Sequence, residues 1–212
     1  ARIDEVSLKV IASSVLQRLS NGMEVKETAQ QTFLKALNVM MFRMLENCQP
    51  QACCSVLIHQ LTLSVPQGAG PHYSPSKFTD LVMKCLIKLS KGLVSKTFIP
   101  EEIIVWDKAI LSMHEFLVKH PPSVWKKRSY DMPLKAMKTA LNHMCKVLGS
   151  DLLQVAYSVI PNAKTSNPPP SLVQYIELML KAKMRSSLSA IKQHVQTIKE
   201  GKDTEKAMEE LW

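Results

Sequence analysis

SPSKFTDLVMKCLIKLSKGL, residues 74–93, decides the fold class. Phe78, Leu81, Val82, Cys85, Leu86, Leu89 and Leu93 recur at i, i+3, i+4 and i+7 without a miss, the period of a helix with one apolar face. Ser74 reads as its cap and Pro75 as its first helical position, where a missing amide hydrogen costs nothing. The spacing predicts a helix over 75–95, with Lys84, Lys88 and Lys91 on the face opposite Leu81 and Leu89.

The same period extends in both directions, and no segment alternates as a strand does. Upstream, a helix over 2–19 is expected to bury Val6, Val10, Leu16 and Leu19 and to stop at Ser20-Asn21-Gly22. A second, over 24–47, places Val25, Ala29, Phe33, Leu37, Met41 and Met44 on one stripe, and Pro50 opens a third that reaches about Leu63. Downstream, Pro100 starts a helix to Lys119 with Ile103, Trp106, Ile110, Met113 and Leu117 inward. After the turn HPPSVWKKRSYD (120–131), Asp131 and Pro133 start another to Gly149, burying Leu134, Met137, Leu141, Met144 and Leu148. Shorter helices are expected at 150–159 and, beyond the connector PNAKTSNPPP, at 171–187, 188–199 and 203–212, the last two split by Gly201.

Helices starting near 2, 24, 50, 74, 100 and 132 make three antiparallel pairs whose first members lie about 50 residues apart, slightly above the roughly 40–47 of a HEAT or armadillo repeat. Each pair alone exposes apolar surface, so side-by-side stacking into an all-α, HEAT-like solenoid is the expected architecture. The turns 20–24, 64–74 and 120–131 then line one edge.

Composition bounds the function. Hydrophobic residues are 46% and charged residues 21% of the 212, ordinary for a globular chain. The longest apolar runs span a few residues, far below the roughly 20 a bilayer requires, so no membrane role is read. Lys and Arg number 27 against 18 acidic residues, a net charge of +9, which favours acidic partners. Five cysteines, most inside apolar helical patterns, fit a reducing compartment. The start at Ala1-Arg2-Ile3 and the stop at Leu211-Trp212 read as those of a segment of a longer protein.

Catalytic signatures are missing: no phosphate-binding glycine loop, no second His to complete an HExxH pattern, no zinc spacing among Cys48, Cys53, Cys54 and His59. No enzyme activity, cofactor, metal or small-molecule substrate is expected. The twelve Met residues sit mostly at core spacing. Lys84, Lys88 and Lys91, and more loosely Lys135, Lys138 and Lys146, are solvated faces or contact stripes. Trp125-Lys126-Lys127-Arg128 offers a flat apolar anchor with steering cations, or else an indole tucked under the helix ends. Single-stranded nucleic acid is disfavoured, because no aromatics interleave along a basic groove, so a HEAT-like nucleic-acid binder stands as a third reading on the net charge alone.

SPSKFTDLVMKCLIKLSKGL (74–93), TFLKALNVMMFRMLENC (32–48) and DMPLKAMKTALNHMCKVLG (131–149) resemble, in order and spacing, segments near the C-terminus of the ch-TOG and Mini spindles microtubule polymerases and their plant relatives. The resemblance covers roughly 5–180. It implies a divergent TOG-like HEAT-repeat domain over 1–187, preceded by a further repeat or not, and over 188–212 the first helices of a C-terminal helical bundle. It further implies a cytoplasmic protein of spindle, centrosome and microtubule plus ends, whose C-terminal region is a localisation module. Its partner would be an acidic protein surface: a TACC-type coiled coil, with direct tubulin or lattice contact as the alternative. Tubulin-binding members resemble one another in a Trp in the first intra-repeat turn. Here SNGME (20–24) has none, and the turn Trp is Trp125. Ile198, Met208, Leu211 and Trp212 offer an apolar face for a partner helix.

Overall fold

The computed structural model describes residues 4–22, 28–67, 72–95 and 106–209. These residues are helical, without a strand: α1 (Glu5–Gly22), α2 (Thr28–Asn47), α3 (Pro50–Ser64), α4 (Lys77–Ser95), α5 (Asp107–Lys119), α6 (Pro122–Trp125), α7 (Met132–Leu148), α8 (Asp151–Val159) and α9 (Ser171–Glu209). No described helix is long and apolar enough to cross a membrane. Residues 1–176 form one compact unit and 177–212 a second.

In the first unit the helices stack in two layers. One holds α1, α3, α5 and α8, each packed on the next; the other runs from α2 to α4 to α7, and α1 and α3 cross to α2 and α4. This is a HEAT-like helical array in which α1 and α2, and α3 and α4, pack as the expected pairs; the expected third pair is corrected, because α5 and α7 each pack on α8. Polar contacts follow the stacking: Glu5 of α1 accepts a hydrogen bond from Ser55 of α3 (3.1 Å) and pairs with Lys108 of α5. Central α3 is buried on nearly every side, at Cys53–Ile58 and again at Gln60–Thr62, as a helix that is apolar all round must be. Its neighbours supply the rest of the core, including Leu16, Met41, Leu86, Ile110, Phe116 and Met137.

Helix ends follow local chemistry. Asp4 caps α1 by accepting the Ser7 amide (2.9 Å) and hydroxyl (2.6 Å), and those bonds hold its carboxyl below the usual range. At α4 the cap is Ser76, not Ser74: its Oγ accepts the Thr79 amide at 3.1 Å. Asp131 stands at the N-cap of α7, yet its carboxylate pairs with Lys135 (2.9 Å) instead of an amide. Gly149 ends α7 with φ 59°, a left-handed geometry that glycine adopts without strain. Gly22, in contrast, stays helical; a Cβ there would lie 2.3 Å from Leu34 Cδ2, so any larger residue would require the Leu34 side chain on α2 to move.

Three expectations need correction. On α1, Val6 (73% exposed) and Val10 point outward, and the core stripe is Leu8, Ala12, Val15, Leu16 and Leu19. On α2, Ala29 and Phe33 are exposed while Leu37, Met41 and Leu45 face inward. The three segments expected after 171 are one helix, because no proline interrupts 171–209 and a lone glycine such as Gly201 costs only about 1 kcal/mol inside a helix. Ile103 and Val25 lie outside the described residues.

Candidate interaction surfaces

HPPSVWKKRSYD folds into the four-residue helix α6, opened by Pro122, and then a turn. Proline at the first helical position turns the chain back so that Trp125 enters the core at 3% exposure. Its indole N–H donates to the His120 carbonyl (2.9 Å) and its ring stacks on Phe116, centroids 6.1 Å apart. Arg128 is also buried, its guanidinium 4.6 Å above the Trp125 ring and 5.4 Å from that of Tyr73. Of the two readings of this turn, the tucked indole is the one observed, and Trp125 and Arg128 are corrected as exposed contact residues: ring and guanidinium fasten the turn, whereas Lys126 and Lys127 stand in solvent.

The contacts of this turn also set it beside the 64–74 turn, as expected of turns on one edge. His120 Nε2–H donates to the Thr62 carbonyl near the end of α3 (3.2 Å), and Tyr130 meets Tyr73 edge-on at 6.1 Å. Farther along, a polar groove of about 570 Å³ is lined by Ser13, Gln17, Ser20 and Asn21 of α1, by Gln60, Leu63 and Ser64 of α3, and by Ser76, Lys77 and Phe78.

Burial holds His59, His114, His120 and His143 below the ordinary histidine pKa, foremost among the causes in each. The sign is fixed by linkage. The unfolded chain takes up protons at higher pH than the folded one, so stability is complete above the ordinary value near 6.5 and falls as pH drops below it. The melting temperature is expected to decline from about pH 7.5 to about pH 5.5, with a shallower slope in His120→Gln. A pH-independent melting temperature would contradict this account.

The α4 lysines are not equivalent. Lys84 pairs with Asp80 (2.7 Å), and Lys88 Nζ lies 3.3 Å from the centroid of Phe42 on α2, so two of the three cations have intramolecular work. Lys91 is exposed. On α7, Lys135 pairs with Asp131 and Lys138 covers Tyr175 at 4.2 Å. The buried thiols are poor nucleophiles: desolvation pushes Cys85 up to about 11 and Cys54 higher still. Among the described residues no cluster of His, Cys, Asp or Glu is placed to hold a metal ion.

A surface not anticipated from sequence lies on α9 in the second unit. Met184, Leu188 and Ile191 are 66%, 55% and 60% exposed at 4-3 spacing, and the sequence continues that spacing through Val195 and Ile198. This is the seam pattern of a two-stranded coiled coil. Lys181, Lys183, Arg185, Lys192 and Lys199 accompany it, with no acidic residue between Glu177 and Glu200. Placing a boundary between 187 and 188 had cut the seam in two. Leu211 and Trp212, and the side chains of Ile198 and Met208, lie outside the described residues.

Comparison with known proteins adds identity to this geometry. The MOR1 proteins of rice and Arabidopsis thaliana are each 33% identical to the chain, over 157 and 159 residues, covering 69% of it and 8% of their own length. Protein mini spindles of Drosophila melanogaster is 32% identical over 120 residues, 57% of the chain and 5% of that protein. The chain belongs to the ch-TOG and Mini spindles family. No protein-family model matches it, and neither does any solved structure. It spans less than a tenth of the length of these ch-TOG and Mini spindles relatives.

Proposed function

We propose that the chain is a non-catalytic interaction and localisation module of a microtubule plus-end polymerase, and that it holds an acidic helical partner of the TACC coiled-coil type. The observation that carries this reading is the exposed seam of α9, apolar at 4-3 spacing and flanked by cations alone. Apolar knobs at these positions drive helix pairing, and flanking charge chooses the partner. A second copy of the 178–199 stretch, whose formal charges are all positive, repels, whereas a strand rich in Glu and Asp at its flanking positions is attracted. Family membership supports a place for this module in the cytoplasm, at the spindle, centrosome and microtubule plus ends.

A second reading, direct tubulin or lattice contact, is favoured by Lys126 and Lys127, exposed side by side on the intra-pair edge. The two are separated by measuring binding of a TACC-type coiled coil and cosedimentation with microtubules at two salt concentrations. Seam binding persists at the higher salt, while contact through the edge collapses. In the variant K126E/K127E, coiled-coil affinity is expected to change by less than about threefold and any lattice binding to fall by roughly tenfold. Loss of coiled-coil binding in that variant, with the helical signal intact, would move the principal site to the turn.

A further inference from the structure

We infer that α9 recognises its partner along one flank only, so that the fitting occupant is a helical strand with a single row of Glu or Asp beside its apolar seam. The inference rests on the helical-partner reading above and adds to it which residues choose the partner. Written as the heptad abcdefg, α9 has Met184, Ile191 and Ile198 at d and Leu188 and Val195 at a. The e positions are then Arg185, Lys192, Lys199 and Lys206, a cation in four successive heptads. Across the seam, the g positions are Ser187, His194 and Gly201, none formally charged at pH 7. Arg185, Ser187 and Lys192 are exposed, and the Ser187 hydroxyl donates to the Lys183 carbonyl within the helix (3.0 Å). The seam also has an end. One heptad earlier its d and a positions hold Glu177 and Lys181, which pair with each other (3.9 Å), and the e position holds Leu178.

Charge on the flanks selects the occupant. Residues at e and g lie on opposite sides of the a and d seam, so each row meets a different row of a packed strand. A strand acidic on both flanks would set one row of carboxylates against Ser187, His194 and Gly201, where they lose water and gain no cation. A strand with one acidic row meets the e cations and leaves the other flank uncharged. A second copy of this stretch fits in neither direction: packed antiparallel it sets e cations against e cations, and packed parallel it sets them against the uncharged g row. Lys183 stands at c, away from the seam, and adds to long-range attraction instead of pairing.

The test is titration calorimetry of the 212-residue chain with two probes: the acidic TACC-type coiled coil, and a synthetic amphipathic peptide with apolar a and d positions and glutamate along one flank. R185Q/K192Q removes two cations from the e row, and S186E/Q193E adds two carboxylates on the outward f row, so both lower the formal charge equally. R185Q/K192Q is expected to weaken binding roughly three- to tenfold and S186E/Q193E less than about twofold, with the helical signal unchanged in both. Moving the peptide's glutamates from its flank to its f row is expected to cost about the same three- to tenfold. Either probe alone suffices to read the variants. Binding of the peptide but not of the TACC-type coil would remove that partner and leave the flank assignment standing. Equal losses in the two variants, indifference to where the peptide carries its glutamates, or binding of neither probe would each overturn the proposal.

Discussion

Replacing Trp125 by alanine is expected to destabilise the chain by about 3–5 kcal/mol, the range for deleting a large aromatic from a packed core. At 3% exposure the ring has no solvent to retreat into. Its loss removes the stack on Phe116, leaves the His120 carbonyl without its indole donor, and takes away the surface on which the Arg128 guanidinium rests. The vacancy also frees the His120 ring, whose centroid lies 6.2 Å from that of Trp125. Trp125→Phe keeps most of the apolar volume and loses the N–H bond, so about 1–2 kcal/mol is expected there. Urea unfolding of both variants measures the pair. A loss below about 1 kcal/mol in Trp125→Ala would mean that the indole stands outside the core and revive it as a partner anchor.

Trp125 shows how far sequence reading reaches. Helix content, the first two helix pairs and the position of the basic turn were legible because 3.6-residue periodicity and well-placed prolines are local signals. Whether a turn tryptophan points in or out depends on a carbonyl at His120 and a ring at Phe116 in the preceding helix, which no turn pattern encodes. The misread faces of α1 and α2 have another cause. Both helices carry two apolar stripes, and composition does not say which the neighbours cover: Val6 and Val10 compete with Leu8, Ala12 and Val15, and Phe33 with Leu37 and Met41. On α9 the signal was present, as 4-3-4-3 spacing from Met184 to Ile198, but a boundary placed at Ser187 hid it. The lysine stripe was located correctly, yet Asp80 and Phe42, its intramolecular partners, become apparent only with the packing of α4.

The double substitution L188E/I191E is expected to lower affinity for an acidic TACC-type coiled coil by about 30- to 700-fold, since two central seam residues contribute roughly 1–2 kcal/mol each and 1.4 kcal/mol is a factor of ten. Folding should be nearly unaffected, because both side chains are more than half exposed. The new carboxylates act twice: they remove apolar knobs from the seam and oppose the partner's acidic flanks. L178E separates position from charge. Leu178 is equally exposed but lies about a third of a turn away from the seam, so it should leave binding within about threefold of the parent chain. Titration calorimetry with the same coiled coil measures all three proteins, and circular dichroism verifies their helices. Equal losses in L178E and L188E/I191E would reduce the effect to net charge, and with it the case for a seam. Selective loss in L188E/I191E that persists at high salt would place apolar helix pairing, not the basic turn, at the centre of recognition.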